Sequence, residues 1–104
     1  MSFLFNQCNK LEKIDGIDKF NTVNIRNMKG IFNECNELKE IKGINKFNTI
    51  NCTNMKGMFH SCNELLYLDL SNFNTSKVND MSFMFNECNK LKEIKGINKF
   101  NTIN

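Results

Sequence analysis

The sequence has no proline and no tryptophan, and only one tyrosine, one histidine and one arginine. The missing proline, beside abundant asparagine, lysine, isoleucine and phenylalanine, reads as the coding bias of an AT-rich genome and carries no function. With His60 the only histidine and no carboxylates recurring beside a nucleophile, neither a triad nor an acid and base pair can be assembled. The reading is a chain without catalytic activity or cofactor. Arg26 stands among 13 lysines that are interleaved with 7 glutamates, at a net charge of +3. That is a solvated surface and not a nucleic-acid footprint. No apolar run approaches the roughly 18 residues of a membrane span, and MSFLF is too short and lacks the basic flank of an export signal. The five cysteines are odd in number, and Cys8, Cys35, Cys62 and Cys88 recur every 26 or 27 residues, with no pair at the close spacing of a zinc site. No metal is expected, and the thiols read as a column of small buried apolar groups.

What the chain does have is repetition. Aligned on methionine, copies begin at Met1, Met28, Met55 and Met81, giving repeats 1–27, 28–54, 55–80 and a truncated 81–104 within one array. A period of this length means that each copy buries its apolar face against the next. The second and fourth copies differ only at Lys29, Gly30, Ile31 and Glu37 over 24 positions, so they should stack interchangeably.

Each copy opens with apolar residues at i, i+3, i+4 and i+7, as in Met28, Ile31, Phe32 and Cys35, which predicts about two turns of helix. Asn27, Asn54 and Asp80 precede the methionines and can cap those helices. The pattern then alternates, most clearly at Tyr67, Leu68, Asp69 and Leu70, and predicts parallel strands over Leu38 to Lys42 and its equivalents. Three copies carry an extra glycine, Gly16, Gly43 or Gly96, read as a bulge that ends the strand. The triplet Phe-Asn-Thr at 20, 47, 73 and 100 turns the chain away, and Ile25, Cys52 and Val78 fill the return.

The strand core with its leucines, the run LLYLDLSNFNTSKVNDMSFMF from Leu65 to Phe85 and the following Asn86, Glu87 and Cys88 resemble the BspA-like leucine-rich-repeat surface proteins. The resemblance covers essentially the whole chain. It implies an α/β solenoid, a right-handed coil of about four repeats with parallel strands on one face and short helical turns on the other. It further implies a binding or adhesive surface displayed outside the cell, and no catalytic residue.

On the strand face the outward columns Lys13, Glu40, Tyr67, Glu93 and Asp15, Lys42, Asp69, Lys95 mostly alternate in sign, so stacked neighbours attract. The third copy breaks the rule with Leu66 and Tyr67, which makes Leu66, Tyr67 and Asp69 the candidate contact for a protein partner. Lys19, Lys46 and Lys99 form a second column that could meet an acidic partner or, with Tyr67, a glycan, although such lysines commonly only keep an edge soluble. His60 fills the column of Asn6, Asn33 and Asn86 and reads as a surface exchange. Four strands at about 4.8 Å spacing offer on the order of 200 Å², against about 800 Å² for one side of a standard interface, so more coils or several chains would have to combine. The rival reading is structural. Terminal copies that expose Met, Phe, Cys, Leu and Ile columns, up to Phe100 and Ile103, would stack head to tail on other copies of the chain into an extended filament.

Overall fold

The computed structural model describes residues 1–100. Its elements recur with the sequence repeat. Strand β1 is Lys13–Ile14, β2 is Glu40–Ile41, β3 is Tyr67–Asp69 and β4 is Glu93–Lys95. β1 runs parallel to β2 with Lys13 opposite Glu40 and Ile14 opposite Ile41, and β3 runs parallel to β4 with Leu68 opposite Ile94. Equivalent residues of successive copies therefore face each other. The alternation seen in the sequence holds: Ile14, Ile41 and Leu68 are buried while Lys13, Glu40 and Tyr67 point to solvent.

One continuous sheet was the expectation, but the strands form two separate pairs, and among the described residues no ladder joins β2 to β3. Side-chain pairing on the two sides of the break differs from that across it. Lys13 meets Glu40 at 3.9 Å and Lys39 meets Glu12 at 3.3 Å between the first two copies, and Lys90 meets Glu64 at 2.9 Å between the last two. Between the second and third copies the same columns place Glu37 beside Glu64, Lys39 beside Leu66 and Glu40 beside Tyr67, and no ion pair is described there.

The segments expected to be helical are not. Their inward residues are as predicted, with Met28, Ile31, Phe32, Cys35, Met55, Met58, Phe59 and Cys62 all without exposure. Yet no α-helix occurs among the described residues. Each segment is instead a succession of four-residue turns with a left-handed residue in every turn, Gly30 (φ 61°) and Glu34 (φ 59°) in the second copy, Gly57 (φ 60°) and Ser61 (φ 60°) in the third. Every second amide then points to the next copy: those of Gly30, Phe32 and Glu34 donate to the carbonyls of Lys56, Met58 and His60 at 2.9, 2.9 and 2.7 Å. The reason is hydrogen-bond supply. A two-turn helix leaves its first four N–H and last four C=O groups unpaired, whereas this backbone satisfies them across the stack. Successive four-residue turns also bring residues i, i+3, i+4 and i+7 to one side, so the apolar stripe alone does not separate the two structures. The caps survive in another form, since Asn27, Asn54 and Asp80 accept from the amides two residues on at 3.0, 2.9 and 3.0 Å, closing Asx turns.

The extra glycines are likewise not bulges. Gly16, Gly43 and Gly96 stand at φ 86°, 90° and 88° and lead into short 3₁₀ helices at Ile17–Lys19, Ile44–Lys46 and Ile97–Lys99. The third copy, lacking the glycine, uses Asp69 instead: its carboxylate accepts from the Ser71 amide at 3.1 Å and the Ser71 hydroxyl at 2.6 Å. The Phe-Asn-Thr turn owes its repetition to the threonine. Thr22 Oγ1 accepts from the Asn48 amide at 2.8 Å and donates to the Asn48 carbonyl at 3.2 Å, and Thr49 does the same with Asn74 at 2.7 and 3.0 Å.

Between these two faces the core is a set of columns. Phe5, Phe32, Phe59 and Phe85 stack with centroids 5.6, 5.4 and 5.8 Å apart and rings within 7° of parallel. Beside them each thiol donates to a phenylalanine carbonyl of the preceding copy: Cys35 to Phe5 at 3.1 Å, Cys62 to Phe32 at 3.2 Å and Cys88 to Phe59 at 3.0 Å. A small apolar side chain with one weak donor fits that place. In the outer copies Met1, Phe5, Cys8, Leu11, Phe85, Leu91 and Phe100 are only half buried. Ile103, counted with them from the sequence, lies outside the described residues.

Candidate functional site

The strand face is where the sequence placed the partner contact. Leu66 and Tyr67 are 44% and 46% exposed, adjacent on a face whose other outward positions are charged. Tyr67 and Asp69 are brought together with Glu40, Lys42 and Gly43 around a cleft of about 210 Å³ that opens where β2 and β3 part. Ser71 holds the Asp69 carboxyl below its ordinary range by hydrogen bonding to the charged form, with Lys95 adding to the effect. Asp69 is therefore a fixed negative charge at the cleft at neutral pH.

The lysine column is less of a site. Lys19, Lys46 and Lys99 each end a 3₁₀ helix and are exposed, and among the described residues none of them enters an ion pair. In the third copy Asn72 takes the place and donates to the Asn45 carbonyl at 2.8 Å. Tyr67 and Asp69 share one cleft, Leu66 is exposed beside Tyr67 but does not line it, and the lysines do not join it.

Sequence reasoning overlooked a second concavity, on the turn face. Phe3 and Phe83 are 45% and 60% exposed and line a slot of about 320 Å³ with Gly30, Gly57, Lys29, Lys56 and His60. The signal was present in the third column of the repeat, which reads Phe3, Gly30, Gly57, Phe83.

The comparison with protein families decides the chain's place. A family model described as a Mycoplasma protein of unknown function, DUF285, matches residues 1–104. The chain belongs to the DUF285 family. No curated protein and no solved structure matches it.

In this DUF285 chain the five cysteines are free, and burial pushes the Cys35 thiol up to about 11 and the Cys62 thiol higher still. Cys35, Cys62 and Cys88 are packing groups that each donate to a carbonyl of the preceding copy. Among the described residues no cluster of three or more histidine, cysteine or carboxylate side chains could hold a metal, and no helix is long and apolar enough to cross a membrane.

Proposed function

We propose that the chain is a non-catalytic binding module of the BspA-like leucine-rich-repeat type. In it the four copies form a right-handed solenoid that serves adhesion at a cell surface. The partner is a protein, met through Leu66, Tyr67 and Asp69. The single observation that carries this reading is the pair of exposed apolar side chains, Leu66 and Tyr67, at the one point where the strands part. An aromatic side chain beside an aliphatic one on an otherwise charged face has the composition of a contact hot spot.

The face of four copies is small, so single contacts will be weak and display in many copies will strengthen them. The test uses beads coated densely with the chain and counted on animal-cell monolayers. Adhesion that falls to the level of bare beads in a folded Leu66→Ser, Tyr67→Ser double variant supports the reading. Equal adhesion by the double variant contradicts it.

A second reading has its own observation. Phe5, Leu11 and Phe20 line one end cavity and Phe85, Leu91 and Ile97 the other, the same columns that are fully covered in the middle copies. Each end is shaped to be covered by a further copy of the repeat, in the same chain or in another molecule, as in head-to-tail assembly. Sedimentation of the chain across a concentration series tests it: mass rising with concentration, and reduced by Phe85→Lys, favours assembly, while a concentration-independent monomer excludes it.

A further inference from the structure

The slot on the turn face lies outside the strand-face reading and does not depend on it. Its column offers four places, one per copy, and all four backbones are left-handed, with φ 58° at Phe3, 61° at Gly30, 60° at Gly57 and 58° at Phe83. The two glycines are not equivalent. A Cβ on Gly30 would lie 2.4 Å from the Phe3 ring, so Gly30 is bare because Phe3 lies across it. A Cβ on Gly57 would meet only His60 Cβ at an ordinary 3.7 Å. The place above Gly57 is vacant, with no side chain of the preceding copy lying across it.

What surrounds that place is an aromatic site with a cationic rim. Phe3 bounds it on one side and Phe83 on the other, and Phe83 meets the His60 ring edge-on at 6.5 Å. With Phe3 lying over the second copy and Phe83 in the fourth, the opening spans two copy spacings, about 9 to 10 Å. A flat ring in contact with both walls needs about 7 to 8 Å. The polar side chains of the wall are partly committed: His60 Nδ1 donates to Asn33 Oδ1 at 2.8 Å and Asn33 Nδ2 donates to Asn6 Oδ1 at 2.8 Å. A sugar would therefore find few free partners. Lys29, its Nζ 5.7 Å from the Phe3 centroid, and Lys56 stand in the wall, which contains no carboxylate. Glu87, 3.8 Å from His60 Nε2, and Asp80, whose carboxylate feels the charges of Lys56 and Lys29, are outside it, so the rim keeps a net positive charge only on its inner side.

We propose that this slot receives an aromatic side chain flanked by carboxylates on an acidic segment of a partner protein. The aromatic ring fills the place above Gly57 and the carboxylates face Lys29 and Lys56. An incoming side chain fits better than a free small molecule because the slot is shallow, with both aromatic walls, Phe3 and Phe83, standing largely in solvent.

The experiment titrates an acetylated and amidated peptide, two aspartates on each side of one phenylalanine, into the labelled chain and follows amide shifts. The expected result is saturable movement at Gly57, His60 and Phe83, weakened by salt because the rim charges are exposed. Phe3→Ala and Phe83→Ala each remove one wall of the slot, and each should weaken the affinity about tenfold or more. Both variants are first checked for a cooperative unfolding transition and for unchanged amide shifts away from the slot, and they act on opposite walls, so a fault in one leaves the other to decide. Four results overturn the proposal: no saturable shifts at these residues, undiminished binding by both variants, equal binding by the peptide with alanine at its centre, or equal affinity for 3-phenylpropanoate, which would make a small aromatic acid the occupant.

Discussion

Gly16 and Gly43 occupy the same repeat position at nearly the same backbone angle, φ 86° and 90°, but in different surroundings. A Cβ at Gly16 would meet nothing within 4 Å, whereas one at Gly43 would lie 2.8 Å from the Asp18 amide nitrogen and 3.0 Å from its Cβ. Gly16→Ala therefore carries the left-handed penalty alone, about 1 to 2 kcal/mol. Gly43→Ala carries the same penalty and forces apart two copies whose approach is set by backbone, adding about 1 to 3 kcal/mol of overpacking. Urea unfolding of both variants measures the difference directly, provided the slopes match that of the parent. The thermal midpoints should separate by about 4 to 8 °C for each kcal/mol between them in a chain of this size. A Gly16→Ala variant that loses as much stability as Gly43→Ala would refute the assignment of Gly43 to close approach between copies.

Other outcomes follow from the same contacts. Thr49→Val keeps the shape but orphans the Asn74 amide and carbonyl, and should cost about 1 to 3 kcal/mol in urea unfolding. Deleting Gly43 removes its 3₁₀ cap, and the loss should be partly restored by adding Lys42→Asp and Asn45→Ser, which copy the Asp69 and Ser71 arrangement of the third repeat; melting midpoints compare the two. The raised thiols make the folded state hold protons that the unfolded state releases, so stability should be complete below pH 9.0 and fall as pH rises toward 11, less steeply in Cys35→Ala, measured as unfolding midpoints against pH. Asp69 has the opposite sign: Ser71→Ala should raise its pKa toward 3.8 in a carboxyl titration followed by nuclear magnetic resonance, with little change in stability because the carboxylate is exposed.

The repeat, the inward columns, the parallel register and the exposed Leu66 and Tyr67 were legible in the sequence because each depends on side-chain polarity at a fixed period. The turn segments were not, because Met28, Ile31, Phe32 and Cys35 point inward from a helix and from a run of four-residue turns alike. Six non-glycine residues at positive φ, among them Glu34, Ser61 and Phe83, show how completely stacking overrides local preference. Gly30 and Gly57, poor helix formers at left-handed positions, were the local clue. The parting of β2 from β3 was not legible, because no side-chain pattern in the repeat dictates it. The slot escaped because it arises from a missing side chain, and a vacancy above Gly57 is visible only once Phe3 is seen to lie over Gly30 and not over its neighbour.

The central claim is that successive copies are joined backbone to backbone through their turn segments, with Phe32 donating to Met58 at 2.9 Å. Scalar coupling across hydrogen bonds, read by nuclear magnetic resonance from each amide nitrogen to its acceptor carbonyl, tests this without inference. The stacked arrangement predicts correlations from Gly30, Phe32 and Glu34 to Lys56, Met58 and His60. A correlation from Phe32 to Met28, four residues back along its own copy, would mean a helix and would contradict the account.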